Sequence, residues 1–167
     1  MWVQRVSYGF SLTLPAPRAW AYRWATDYQA SDLELMGARA RRRVAKLAPD
    51  LVLLTDSFRA DPFDPRPGRR SVKQKLVHLY PGRWAWVSTH VSGPAMYSQF
   101  VYELLPRGRR SCRLRFTGTQ VERVRNRPTS RSVSMRARAL RREDAVGWRR
   151  FAQAIRRDYR PARNRRH

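Results

Sequence analysis

The sequence contains a single cysteine, Cys112, among its 167 residues. One cysteine excludes an internal disulfide framework and a cysteine-based zinc site, so we expect a small buried thiol in a reducing compartment. No apolar run approaches the roughly 18 residues that cross a membrane. The N-terminal stretch MWVQRVSYGFSLTLPAP alternates instead of forming the apolar block of a signal peptide. The sequence therefore predicts a cytoplasmic protein without integral membrane association.

Acidic residues are also scarce. There are 12 of them against 36 lysines and arginines, which gives a net charge of +24. Only Lys46, Lys73 and Lys75 are lysines, so the excess is carried by arginine. A field of this strength repels itself and is typical of proteins that bind a polyanion, either nucleic acid or an anionic membrane surface. The alternatives are a GC-rich genome, which favours arginine over lysine, and a solvated basic surface with no partner.

Known catalytic motifs are missing as well. The sequence has no phosphate-loop, dinucleotide-binding, zinc-protease or serine-hydrolase signature. We therefore expect a non-enzymatic protein with no catalytic residue, no metal and no cofactor.

Two of the three histidines fall on predicted strands. His78 has the parity of Val72, Leu76 and Tyr80, which places it on the inner face of its strand, and His90 has the parity of Trp84 and Trp86. Either histidine lines a cavity as an acid or base, or is hydrogen-bonded in or near the core.

Apolar residues alternate or recur with helical period along most of the chain. The first strand is predicted by a set of apolar residues of one parity: Trp2, Val6, Tyr8, Phe10, Leu12 and Leu14. Residues 17–37 predict one or two short helices, which open at Pro17. Several strand-like stretches follow, with a hairpin at Pro81-Gly82 and a bulge at Gly118, where the apolar parity slips.

The last segment, from Ser130 to about Tyr159, has the period of a helix that Pro161 ends. Its apolar stripe is Val133, Ala137, Leu140, Trp148, Phe151, Ile155 and Tyr159. We predict one α+β domain over 1–160 and a basic tail over 161–167. The domain is a curved antiparallel sheet of about six to seven strands, wrapped around the long C-terminal helix, with two short helices after strand 1.

Two segments and the terminal helix carry motifs of a known fold family. LPAPRAWAYRWATDYQASDLELMG has its strand–proline–helix entry, and FVYELLPRGRRSCRLRFTGTQVE has its hairpin. In this order they resemble the START/Bet-v-1-like superfamily (SRPBCC, polyketide cyclase-like), whose fold is the helix-grip fold. The resemblance implies an apolar cavity, between sheet and long helix, that holds lipids, polyketides or other hydrophobic molecules.

Candidate residues for lining that cavity are mostly aromatic: Trp84, Trp86, His90, Phe100, Tyr102, Asp144, Trp148 and Phe151. The alternative is that these bulky side chains fill the space completely.

Asp144 is the polar exception in the helix stripe, between Leu140 and Trp148. A carboxylate there is costly unless it is paired. It contacts a ligand hydroxyl, or catalyses enolisation as the resemblance to cyclases implies. Otherwise it pairs with a strand arginine, or the helix breaks near Glu143-Asp144.

A second stripe on the same helix consists of arginines, and further arginines cluster elsewhere. The candidate RNA-binding residues are Arg131, Arg138, Arg142, Arg149, Arg150, Arg156, Arg157 and Arg160 on the helix, Arg163, Arg165 and Arg166 in the tail, Arg39, Arg41, Arg42 and Arg43 on the second strand, and Arg69, Arg70, Arg109 and Arg110 in loops. Guanidinium groups match phosphate oxygens in geometry and charge. No DNA-recognition module occurs, and a broad basic surface suits structured RNA.

The sequence therefore favours a non-enzymatic RNA-binding domain. The superfamily includes a ribosome-associated branch, so the resemblance implies ribosomal RNA or a ribosomal subunit as partner. The alternative is a hydrophobic small-molecule or lipid-binding protein, or a polyketide cyclase-like protein, that uses the cavity. A peripheral protein on anionic membranes ranks last, because the basic helix buries its apolar face.

Overall fold

The computed structural model describes residues 1–35, 37, 40–59 and 70–160. Its elements are β1 (Trp2–Leu14), α1 (Arg18–Thr26), α2 (Asp32–Leu35), β2 (Ala40–Ala48), β3 (Leu51–Phe58), β4 (Ser71–Tyr80), a 3-10 turn (Pro81–Arg83), β5 (Ala85–Ser92), β6 (Gln99–Pro106), β7 (Cys112–Val124) and α3 (Ser130–Asp158). The predicted α+β class and the predicted order of elements are confirmed.

The strands of the described residues form one antiparallel sheet in the order β1-β7-β6-β5-β4-β3-β2. β1 pairs with β7 along its whole length, from Trp2 opposite Val124 to Leu14 opposite Cys112. The sheet curves around α3, which packs against β1. The predicted helix-grip architecture is therefore confirmed.

α3 is defined by its N-terminal cap and by its apolar stripe. Thr129 and Ser132 form a reciprocal capping box, in which each side-chain oxygen accepts a hydrogen bond from the other residue's backbone N–H. The buried residues of the helix are Leu140, Gly147, Trp148, Ala154 and Ile155. The helix continues through Glu143 and Asp144, so the alternative of a break at this point is wrong.

The core lies between the inner face of the sheet and the helices. Phe10 of β1 stacks on Phe116 of β7 with ring centroids 4.8 Å apart. Cys112 is fully buried, as predicted, and burial raises the pKa of its thiol to about 11. A thiol with so high a pKa stays protonated at neutral pH and behaves as a small apolar side chain.

Gly118 does not form the predicted bulge. The pairing of β7 is regular through this residue, which lies opposite Tyr8 on one side and Phe100 on the other. A Cβ at this inward position would lie 2.7 Å from Phe100 Cδ1 and 2.9 Å from Phe116 Cζ. Two aromatic rings occupy the space of the missing side chain, and the apolar parity slips because the next inward residues, Gln120 and Glu122, are polar.

The inner face of β4 is the opposite of the predicted one. Lys73 is 4% exposed, whereas Val72 is 50% exposed and His78 is also exposed. The inward orientation of Lys73 and Lys75 has its reason on the neighbouring strand β3, where the fully buried Asp56 carboxylate contacts Lys75 Nζ at 2.8 Å. An unpaired buried carboxylate would cost more than the exposure of Val72, and the same face of β4 also buries Val77, so Lys73, Lys75 and Val77 turn inward together.

Candidate functional site

A cavity of about 330 Å³ lies between the inner face of the sheet and the helices. Trp24 of α1, Leu33 of α2 and Leu140 of α3 contribute to its walls. The predicted residues that line it are Trp86, His90, Phe100, Tyr102, Asp144, Trp148 and Phe151. The aromatic side chains therefore surround an open space and do not fill it completely.

Trp84 is the one predicted lining residue that the structure places elsewhere. It follows the 3-10 turn with a left-handed backbone, at φ 53°, and precedes β5. Its ring packs edge-on against Tyr22 and lies under the Arg18 guanidinium, 5.0 Å from the ring centroid. The parity argument failed here because alternation does not extend from β5 back into the turn.

One wall of the cavity is built from aromatic rings. Trp86 and Tyr102 are neighbours on β5 and β6, and their rings stack with centroids 5.0 Å apart and planes 7° apart. Trp148 of α3 lies 6.1 Å from Trp86 and 5.2 Å from Phe151, measured between ring centroids. Such a wall offers flat apolar surfaces to a flat apolar molecule.

A hydrogen-bonded pair, Tyr8 and Asp144, lies on the wall formed by β1 and α3. The Tyr8 hydroxyl donates to Asp144 Oδ2 at 2.6 Å. Burial raises the pKa of Asp144, although the hydrogen bond from Tyr8 partly opposes this. Burial and the neighbouring Asp144 raise the pKa of Tyr8 far above its ordinary value. The direct partner of Asp144 is thus a strand tyrosine and not a strand arginine.

Asp56 is the centre of a buried ion cluster at the side of the cavity. Arg42 donates to both of its oxygens, from Nε at 2.7 Å and from NH2 at 2.9 Å, and Lys75 Nζ contacts Oδ2 at 2.8 Å. Burial alone would raise the pKa of Asp56, but these two cations lower it to about 2. Asp32 lies 3.6 Å from Arg42 NH1.

His90 is 8% exposed and lines the cavity. Its Nδ1 is the one buried side-chain nitrogen or oxygen of the described residues that lacks a hydrogen-bond partner. Burial, Lys75 and Lys73 together lower the pKa of His90 to about 3, so the imidazole is neutral at pH 7. The ring packs edge-on against Phe100 at 5.2 Å. Of the two histidines on strands, the structure places His90 in the cavity and His78 on the outside.

Sequence reasoning missed several polar residues of the cavity. The unpredicted members with charged or hydroxyl groups are Tyr8, Tyr28, Asp32, Arg42, Lys73, Lys75 and Ser88. One signal was present in the sequence, because two of the three lysines in this arginine-rich chain are Lys73 and Lys75. A residue type that is rare in a chain and placed at i and i+2 of a strand indicates one shared face.

The predicted RNA-binding arginines are mostly on the surface. Those that are exposed are Arg41, Arg43, Arg70, Arg109, Arg110, Arg131, Arg138, Arg142, Arg149, Arg150, Arg156, Arg157 and Arg160. Arg42 was predicted to lie on the same surface, but its side chain is only 6% exposed and binds Asp56. Arg39, Arg69, Arg163, Arg165 and Arg166 lie outside the described residues.

The sequence matches no protein-family model and no curated protein. Its fold, however, matches many solved structures. The Zhui aromatase/cyclase from Streptomyces sp. R1128 aligns with a TM-score of 0.72 at 11% identity, over 95% of this chain and 98% of that chain. A protein from Thermus thermophilus aligns with a TM-score of 0.71 at 12% identity, over 92% of this chain and 99% of that chain.

A plant enzyme has the same fold. Norcoclaurine synthase from Thalictrum flavum, solved with dopamine and hydroxybenzaldehyde, aligns with a TM-score of 0.65 at 12% identity, over 95% of this chain and 91% of that chain. The chain therefore has the helix-grip fold, which it shares with these solved structures. None of the helices described in the structure has the length and apolar character needed to span a membrane.

Proposed function

We propose that this protein binds a hydrophobic aromatic small molecule in the cavity between the sheet and α3. The observation that carries the proposal is the cavity itself, with a volume of about 330 Å³ and an aromatic wall. Ligand pockets have volumes of roughly 300–1,000 Å³ and combine apolar walls with a few polar groups. A volume near the lower limit fits a compact ligand of a few rings.

The structures of similar fold support this kind of ligand. The Streptomyces protein is described as an aromatase/cyclase, and the Thalictrum enzyme was solved with two small aromatic molecules. A fold by itself defines no activity. The support therefore concerns the location and type of the ligand.

The Tyr8–Asp144 pair extends the proposal toward cyclase-like chemistry. Burial raises the pKa of the Asp144 carboxyl, and a carboxyl with a raised pKa is suited to exchange a proton with a bound molecule. In this function the protonated Asp144 carboxyl gives its proton to a ligand carbonyl oxygen, or the ionised carboxylate takes the proton of a ligand hydroxyl, and the Tyr8 hydroxyl holds the Asp144 side chain in place.

The test uses the neutral fluorescent probe N-phenyl-1-naphthylamine, whose emission rises in apolar surroundings. Ser88 is buried and lines the cavity, so Ser88→Phe places a ring inside it. We expect the wild-type protein to bind the probe and Ser88→Phe to bind it at least tenfold more weakly. The matched control is Ser11→Phe, at an exposed position of β1, which should bind like the wild type. Absence of probe binding by the wild type, or equal binding by Ser88→Phe with an unchanged circular dichroism spectrum, contradicts the proposal.

We propose a second function for the outer surface, the binding of structured RNA, with ribosomal RNA as the candidate. The supporting observation is the exposed arginine stripe of α3, from Arg131 to Arg160, on the side of the helix that faces away from the sheet. Neutralised phosphates release counterions, so the signature of this function is an affinity that falls steeply with salt.

A further inference from the structure

The cavity wall changes from apolar to basic along strands β4 and β5. On β5 the inward side chains are Trp86, Ser88 and His90. Their partners across β4, in the same order, are Leu79, Val77 and Lys75. Four residues of strand, at roughly 3.4 Å per residue, separate Trp86 from His90 by about 14 Å. The cavity therefore has two chemically different ends on one continuous wall.

The basic end contains an unsatisfied hydrogen-bonding group. His90 Nδ1 is buried without a partner, and such a group costs free energy until a ligand or water satisfies it. Asp56, the carboxylate that acts on the pKa of His90, is already bound by Arg42 and Lys75. A bound molecule that presents an oxygen to His90 would supply the missing hydrogen bond.

The charges around His90 indicate which kind of oxygen fits. Lys75 lies directly across from His90, and Lys73 is the next inward residue of β4. Although Lys75 also pairs with Asp56, the two lysines together act on His90 more strongly than Asp56 does, so the local field favours an anionic oxygen over a neutral one. At the other end, the stacked Trp86 and Tyr102 rings offer a flat surface to an aromatic ring.

We propose that the cavity binds a flat aromatic carboxylic acid, whose rings lie on the Trp86 wall and whose carboxylate contacts Lys73, Lys75 and His90. This inference rests on the proposed small-molecule function and adds the acidic group and its position. In this inference the two inward lysines, Lys73 and Lys75, discriminate an anionic ligand from a neutral one.

The test compares 2-naphthoate with its neutral analogue 2-naphthamide. Each compound competes with N-phenyl-1-naphthylamine for the protein at 150 mM salt. Because the probe occupies the cavity, its displacement measures binding of the compound in the cavity. We expect 2-naphthoate to displace the probe at a concentration at least tenfold lower than 2-naphthamide. This comparison uses the wild-type protein and does not depend on the folding of any variant.

Variants locate the origin of the preference. Lys73→Met and His90→Phe should reduce the tenfold preference to about twofold or less, where the preference is the ratio of the two displacing concentrations measured in the same variant. Lys46→Met, which removes an exposed lysine of β2, should keep the full preference.

Two results overturn the inference while the proposed small-molecule function stands. One is that the acid and the amide displace the probe equally well, or that neither compound displaces it. The other is a preference for the acid that persists in both Lys73→Met and His90→Phe. Failure of the wild type to bind the probe at all is a different result and contradicts the proposed function itself.

Discussion

His90 shows how a single side chain in the cavity is held in one protonation state. Its ring lies against Phe100 and faces Lys75 and Lys73, and the negative Asp56 only partly offsets these two cations. Protonation would place a third positive charge in the same buried region. The ring is therefore neutral in the folded protein at a pH where it is charged in the unfolded chain.

The stability of the protein should consequently decrease in acid. The pKa of His90 is about 3 in the folded state, against about 6.5 in an unfolded chain. The stability that the neutral ring contributes is complete above pH 6.5 and is lost as the pH falls from 6.5 toward 3. We expect His90→Phe to reduce the slope of the unfolding free energy between pH 6 and pH 4 by about 1.4 kcal/mol per pH unit. Urea unfolding at four pH values between 6 and 4 measures this slope for the wild type and the variant.

The matched control for this experiment is His78→Phe, at an exposed position of β4. It should keep the wild-type slope. An unchanged slope in His90→Phe would show that the buried histidine is not the group that takes up the proton.

At the scale of the element, β7 depends on a position without a side chain. An alanine at position 118 would place its Cβ 2.7 Å from a ring atom of Phe100 and 2.9 Å from one of Phe116, and both rings belong to the packed core. We expect Gly118→Ala to destabilise the protein by about 1–3 kcal/mol, the usual cost of overpacking. The control is Gly82→Ala, whose Cβ would meet nothing within 4 Å. Urea unfolding distinguishes the two, and equal stabilities would mean that the rings move aside at no cost.

The helix and most strands could be predicted from the sequence because burial repeats along them. The stripe from Val133 to Tyr159 marks α3 within one residue of its observed end. β1 likewise turns its even-numbered residues inward. In both elements apolar residues alone decide the buried face, so the local pattern contains the information.

The inner face of β4 could not be predicted in this way. Val72 and His78 point outward, and Lys73 and Val77 inward, because Lys75 pairs with Asp56, a residue 19 positions earlier on another strand. Such a pairing is a property of the assembled sheet. The aromatic lining of the cavity was predictable from parity, whereas its basic end, with Lys73 and Lys75, required the three-dimensional structure.

At the scale of the whole molecule, most of the described arginines lie on the surface, whereas Arg42 lines the cavity together with Lys73 and Lys75. Exposed arginines follow the outer side of α3, and two of the chain's three lysines point into the cavity. A net charge of +24 attracts any polyanion, so a specific RNA surface has to be distinguished from the general field.

Charge-matched variants make that distinction. The triple variant Arg138→Gln, Arg142→Gln, Arg149→Gln removes exposed charges from α3. The control Arg5→Gln, Arg113→Gln, Arg123→Gln removes the same charge from exposed positions of β1 and β7. For a hairpin of ribosomal RNA, we expect the helix variant to lower the slope of log affinity against log salt by about 2–3, and the control to leave it within about 1. Fluorescence anisotropy from 50 to 300 mM salt measures both, and equal losses would contradict a binding surface on α3.

The pairing of β1 with β7 has a consequence for the order in which the chain folds. The partner of Trp2 is Val124 and the partner of Leu14 is Cys112, so the hydrogen bonds of the first strand require residues that are 98 to 122 positions later in the chain. During synthesis from the N-terminus, β2 to β6 can pair as successive neighbours while β1 remains an unpaired apolar strand. Closure over so long a loop is entropically expensive and slow, and an exposed strand of this kind is prone to associate with other chains in the meantime. The arginines at positions 5 and 113, and the net positive charge of the whole chain, would keep such intermediates apart by mutual repulsion.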